Sequence, residues 1–159
     1  MAESGAAMVA PERTASPKVD RIEQQFAAFF DGYRQRLRQQ AAQLDPALQP
    51  SGYRTLFELV IGGPVGAGAL AERLGFDKSV LSRQLHQLDD LGFVSREPDP
   101  SDRRAVVISA TPDAVVRINQ MRTDARDAFR GELSGWPEQD LDDLSRLLAK
   151  LAVLNDGAR

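Results

Sequence analysis

The chain has 159 residues, no cysteine and a single histidine, and its formal net charge is −3. These counts exclude a disulfide framework, a thiolate zinc site, a multi-histidine metal centre and a histidine-dependent catalytic triad. Hydrophobic residues make up 42% and charged residues 27%, which is typical of a globular domain. No apolar run approaches the roughly 20 residues of a membrane-spanning helix. We therefore expect a cytoplasmic protein that needs no cofactor or metal and has no membrane partner.

The N-terminal segment differs from the rest in composition. Residues 1–17 are rich in Ala, Ser, Gly and Pro, and they lack the basic start and apolar block of a signal peptide. We predict a disordered tail over residues 1–17 and a single domain over residues 18–159.

Helices are predicted first along the chain. Apolar residues recur every three or four positions over residues 19–44, which is typical of an amphipathic helix. Shorter helices are expected over residues 50–60 and 67–74. A fourth helix is expected over residues 78–91, with Asp77 as its N-cap.

The fourth predicted helix has two chemically different faces. At 100° per residue, Leu81, Leu85 and Leu88 lie on one side. Lys78 begins the helix, and the side opposite the leucines carries Ser79, Ser82, Arg83 and His86. We expect the leucine face to pack and the polar face to stay free.

A β-hairpin is predicted after this helix, which Gly92 ends. Residues 93–96 and 105–109 are the predicted strands, the second of them rich in β-branched residues. The turn between them ends in Asp102, Arg103 and Arg104, so the hairpin has a charged tip.

The helices that flank this region are strongly apolar. Thr111 and Pro112 open one helix, and another is predicted over residues 137–154 with a leucine seam. Residues 18–46 and 112–155 carry more apolar surface than one small module can bury. We therefore predict that they form a helical frame for a homodimer.

The predicted fold class is mainly α with a small β-hairpin wing (α+β): six helices with a winged helix-turn-helix over residues 50–111. A second short helix with a free polar face, followed by a hairpin, is what the major groove of double-stranded DNA requires.

Residues 68–109, GALAERLGFDKSVLSRQLHQLDDLGFVSREPDPSDRRAVVIS, closely resemble the MarR family of winged-helix transcription regulators. The family's LAxxL helix, serine-rich recognition helix, DPxDRR wing and Thr-Pro exit occur in the same order. The resemblance implies a homodimeric repressor on a palindromic DNA operator. It also implies release by a small-molecule effector that enters between the frame and the winged helix-turn-helix.

The resemblance also implies roles for individual residues. Ser79, Ser82 and Arg83 would face the major groove, Arg104 would insert into the minor groove, and Asp102 would hold the wing in shape. Lys78, His86 and Arg103 complete the predicted DNA-binding set. Tyr33 and Arg34 are the predicted rim of the effector pocket.

The residues themselves leave alternatives open. Arg83 suits bidentate contact with guanine or a phosphate contact, and Arg103 suits a phosphate contact, a base contact or an ion pair. The serines either bond to DNA or are small enough for close approach. His86 suits a phosphate contact or an unpaired surface position. The aromatic stripe Phe26, Phe29, Phe30 and Tyr33 suits a core, a dimer seam or a ligand pocket.

A second class of function is also open. Winged helices serve as protein-interaction modules as well, and the negative net charge favours that alternative. No paired catalytic constellation is visible in the sequence, so we do not expect an enzyme.

Overall fold

The computed structural model describes residues 16–98 and 106–156, and helices account for most of this part of the chain. The helices are α1 (Pro17–Leu44), α2 (Pro50–Gly62), α3 (Ala67–Leu74), α4 (Lys78–Asp90), α5 (Pro112–Leu133) and α6 (Glu138–Asp156). The strands are β1 (Val65–Gly66), β2 (Val94–Pro98) and β3 (Val106–Ala110). The predicted fold class, mainly α with a small β wing, is confirmed. No described helix has the length and apolar character needed to cross a bilayer.

Helix boundaries differ from the predicted ones by a few residues. Helix α1 begins at Pro17, where the fixed φ of proline suits the first turn, so the predicted tail is too long at its end. Helix α2 extends to Gly62 because the residue that leaves the helix is Gly63, with φ of 74°. Residues 1–15 of the predicted tail lie outside the described residues.

The sheet contains a strand that the sequence analysis missed. Its order is β1-β3-β2, with Val65 opposite Ile108 in one pair and Arg96 opposite the same residue in the other. Both pairs are antiparallel. Strand β1 has two residues, too few to show the alternation that identifies a strand in sequence. It forms one edge of the wing sheet, next to the start of α3.

The core of the chain is centred on α2. Leu56 and Leu59 of this helix are buried against leucines of α3 and α4, Ile108 of β3 and Ile118 of α5. From α1, only the last turns contribute, through Ala41 and Leu44. The winged module, residues 50–111, therefore shares its core with the C-terminal end of α1 and the first turns of α5.

The remaining parts of α1 and α6 expose apolar side chains. Phe29 is 69% exposed, and Phe30 and Tyr33 are about half exposed, so the aromatic stripe is not part of this chain's core. Leu147, Leu148 and Leu151 of α6 are exposed as well. We call α1, α5 and α6 the helical frame, and none of the other described residues covers its exposed apolar surface.

The two ends of α4 are formed differently from each other. Gly92 follows the C-terminal end in the left-handed region, with φ of 72°, as predicted for a helix-ending glycine. At the N-terminal end the predicted side-chain cap is wrong. The backbone carbonyl of Asp77 accepts the Leu81 N–H, whereas its carboxylate makes no capping hydrogen bond. The first N–H groups of α4 therefore have no side-chain acceptor among the described residues.

Gly92→Ala should lower the free energy of unfolding by about 1 kcal/mol, because an alanine is strained in the left-handed region. Nothing lies within 4 Å of the added Cβ, so backbone strain is the only cost. Gly68→Ala in α3 is the matched control, since its Cβ also meets open space but the residue is helical. It should raise stability by about 0.5 kcal/mol. Urea denaturation checks both values, and equal effects of the two substitutions would contradict this account.

Candidate nucleic-acid interface

Helix α4 separates its side chains as the sequence predicts. Leu81, Leu85 and Leu88 are buried in the core. The predicted DNA-binding residues of this helix are all exposed on the other side: Lys78, Ser79, Ser82, Arg83 and His86. The helix therefore presents one continuous polar face to solvent.

A close approach between α2 and α4 fixes this orientation. A Cβ built on Gly52 of α2 would lie 2.7 Å from Leu48 Cδ1 and 3.2 Å from Gln84 Oε1 of α4. Only glycine fits there without displacing these neighbours, of which Leu48 is buried. Gln87 Nε2 of α4 also donates a hydrogen bond of 2.7 Å to the carbonyl of Ala47. Sequence analysis missed these residues because their contacts join separate segments of the chain.

The wing is linked to α4 by an ion pair. Arg96 Nε of β2 lies 3.2 Å from the Asp89 carboxylate, near the end of the helix. This arginine is therefore partly neutralised, and it holds the base of the wing next to α4. The predicted tip residues Asp102, Arg103 and Arg104 lie outside the described residues, so their roles remain predictions.

The charge on the free face of α4 is uneven. Lys78 and Arg83 make no ion pair with any described residue. His86 Nε2 lies 3.7 Å from the Asp90 carboxylate, so this histidine has an acidic neighbour one turn away. The uncompensated positive charge lies in the first half of the helix.

A pocket with a volume of about 720 Å³ lies between the helical frame and the winged module. It is lined by α1, α2, α3 and α5. Tyr33, predicted to lie on a pocket rim, lines it. Arg34 does not line it, and its guanidinium pairs with Asp31 on α1.

The lining of this pocket is strongly cationic. It contains Arg36, Arg54, Arg73, Arg122 and Arg126, whereas Glu58 is the only acidic residue among the described residues that line it. No sequence signal marks these arginines, since they come from four different helices and meet only through packing.

Three of the pocket arginines are held by neighbours. Arg54 lies over the Phe76 ring at 5.5 Å and Arg122 over the Phe57 ring at 5.7 Å. Arg73 lies 4.0 Å from the Glu58 carboxylate. Arg36 and Arg126 have no hydrogen bond or ion pair to any described side chain. Their charge is therefore available to a ligand.

Tyr53 is the buried phenol of this pocket. Burial raises its pKa above the ordinary value, the neighbouring Tyr33 adds to the rise, and Arg122 opposes it. The neutral phenol is thus the form that the pocket favours.

Among the described residues, no cluster of His, Asp and Glu side chains could hold a metal ion.

Comparison with known proteins finds similarity both in part of the sequence and in the fold. Residues 48–105 match the model of the MarR family. The fold is similar to RV1404 from Mycobacterium tuberculosis at 22% identity and a TM-score of 0.71, covering 89% of this chain and 97% of that one. Wild-type MarR from E. coli, in its apo form, matches at 21% identity and 0.62, covering 80% and 93%. FabT from Streptococcus pneumoniae, solved in complex with DNA, matches at 14% identity and 0.76, covering 88% and 99%.

Tyr53 should lose its proton at a higher pH than an ordinary tyrosine, whose pKa is about 10. Since the unfolded chain ionises first as the pH rises past about 10, the free energy of unfolding should fall over this range. Tyrosinate absorbance during alkaline titration checks the first point. The late component should disappear in Tyr53→Phe and persist in the control Tyr33→Phe, and the reverse result would refute the assignment.

Proposed function

We propose that this chain, whose winged helix-turn-helix belongs to the MarR family and whose fold is that of the MarR regulators, is a homodimeric repressor that binds a palindromic DNA operator. MarR-family regulators are DNA-binding proteins rather than enzymes. The observation that carries the proposal is the exposed polar face of α4, which lies opposite a buried leucine face and beside the wing.

Major-groove contact is proposed for α4. Ser79 and Ser82 are small enough to let the helix approach the bases, and Arg83 can form two parallel hydrogen bonds with guanine. Lys78 and the uncapped N–H groups of the first turn suit a phosphate. His86 would contact a phosphate only in competition with its acidic neighbour.

Minor-groove contact is proposed for the wing. By its position in the DPxDRR motif, Arg104 would insert into the groove, since narrow minor grooves attract arginine. Arg103 would contact a phosphate, and Asp102 would hold the tip in shape. This part of the proposal rests on the sequence motif.

A homodimer is proposed from the exposed apolar surface of the frame. Phe29, Phe30 and Tyr33 of α1 and the leucines of α6 are not covered by other described residues, and two-fold pairing would bury both sets. A two-fold dimer would also present two copies of α4 to successive major grooves, about 34 Å apart.

Release by a small molecule is proposed for the cationic pocket. A ligand there contacts the frame and the winged module together, so it can favour one spacing of the two recognition helices. Five guanidinium groups against one carboxylate favour an anion, and the aromatic side chains favour a flat ring. A coupling of about 1–3 kcal/mol would suffice for a useful switch.

DNA binding is tested by fluorescence anisotropy, with a duplex selected from a random pool by the wild-type dimer. We expect Arg83→Ala to weaken binding to this duplex about tenfold, because one bidentate base contact is worth about 1–3 kcal/mol. Arg130→Ala, which removes the same charge from the far end of α5, should change it little. Equal losses in both variants would remove α4 from the mechanism.

The salt dependence of the binding affinity distinguishes DNA binding from a protein-interaction module. Binding that neutralises several phosphates must weaken steeply as ionic strength rises, whereas docking of a protein on an apolar face would show little salt dependence. A wild-type dimer with equal affinity for the selected and a random duplex would favour the interaction module, and the operator proposal would fail.

Ligand binding is tested with benzoate, a flat anion, against benzyl alcohol, its neutral counterpart. Benzoate should raise the melting temperature and release the dimer from the selected duplex, whereas benzyl alcohol should do neither. Arg126→Gln should reduce the effect of benzoate, because it removes a charge that has no described partner. A thermal shift that is the same for both compounds would contradict an anion site.

A further inference from the structure

The frame and the winged module meet at the C-terminal end of α4, the proposed recognition helix. Here the C-terminal end of α1, the residue Phe93 that follows α4, and the first turns of α5 lie side by side. Phe93 and Ala114 are both buried at this point. We call Leu44, Phe93, Thr111 and Arg117 the junction.

Arg117 of α5 contacts two of these elements at once. Its Nη2 donates to the carbonyl of Leu44 and lies 3.5 Å from that of Gln43, at the end of α1. Its guanidinium also lies over the Phe93 ring, 5.4 Å from the centroid. Helix α1 has no basic residue in its own last turn, so Arg117 supplies the cation that its exposed carbonyls favour.

Thr111 ties the end of α4 to the start of α5. Its Oγ1 donates to the carbonyl of Gly92 at 3.0 Å, and its backbone N–H donates to that of Phe93 at 3.0 Å. The Phe93 N–H in turn donates to the carbonyl of Leu88 at 2.8 Å. The position of Phe93 is therefore coupled to the last turn of the recognition helix, so a side chain that holds Phe93 also orients α4.

We propose that Arg117 is a positioning residue that sets the angle of α4 against the frame, and thereby the spacing of DNA half-sites that the dimer accepts. This inference rests on the proposed operator binding. Adding one base pair between half-sites moves one by about 3.4 Å and rotates it by about 35°. A recognition helix held at a fixed angle discriminates against such a change, whereas a loosely held one tolerates it.

Arginine suits this position for a geometric reason. Its planar guanidinium can donate in its plane to the α1 carbonyls while its face lies on the ring of Phe93. Lysine can supply the charge but not the flat contact, and methionine can supply neither the donors nor the charge. The series Arg117→Lys and Arg117→Met therefore removes the carbonyl and ring contacts in steps. Arg117 Nη1 also lies 4.0 Å from the carboxylate of Asp113 in the same helix, and lysine retains the charge for this pair.

The experiment compares three duplexes by fluorescence anisotropy at one salt concentration. They are the inverted repeat selected by the wild-type dimer, the same repeat with one base pair added between half-sites, and a single half-site. The control Gln120→Ala changes an exposed residue one turn along α5, whose side chain bonds only to Asp124 in the same helix. Sedimentation confirms the dimer, and thermal melting confirms the fold.

We expect the wild type and Gln120→Ala to prefer the selected spacing by about tenfold or more. Arg117→Met should reduce this preference to about threefold or less, with Arg117→Lys between them, while half-site affinity stays within about twofold. If Arg117→Met does not form a dimer, Arg117→Lys decides by the same criterion.

Two results would overturn the inference alone: an unchanged spacing preference in the Arg117 variants, or a parallel loss on the half-site, which a purely structural role predicts. A wild type that enriches no inverted repeat would overturn the operator proposal, and this inference with it.

Discussion

The packing of α4 on α2 is the constraint on which the rest of the structure depends. Because the leucine face of α4 is buried against α2, its polar face can point only to solvent. Gly52 allows the two helices to come close enough for this burial to be complete. The wing, the C-terminal end of α1 and the first turns of α5 then pack around this helix pair.

The same arrangement links three sites with proposed roles: the polar face of α4, the cationic pocket and the junction. Helix α2 contributes core residues to the winged module and Tyr53, Arg54 and Phe57 to the cationic pocket. The junction lies at the other side of α5, where the end of α1 meets Phe93. A change in the angle between the frame and the winged module would therefore alter the pocket, the junction and the orientation of α4.

The sequence predicted what depends on local pattern. Apolar periodicity located the helices, the two faces of α4 agree with the observed burial, and the MarR resemblance agrees with the comparisons. The missed features depend on contacts between distant segments. Arg117 and Leu44 are 73 residues apart, Gln87 and Ala47 are 40 apart, and the pocket arginines come from four helices. The expected cap by Asp77 was wrong because a residue type at a helix start does not determine its side-chain rotamer.

The acidic pair at the end of α4 makes the charge along this helix asymmetric. Its first half carries Lys78 and Arg83 together with the positive end of the helix dipole, whereas its last turn carries Asp89 and Asp90 at the negative end. A polyanion lying parallel to this helix would be attracted more strongly at the N-terminal end than at the last turn, where Arg96 partly neutralises Asp89. In the proposed complex, α4 would therefore enter the major groove tilted, with its N-terminal end deepest. Its first two turns would then contact the bases near the centre of each half-site.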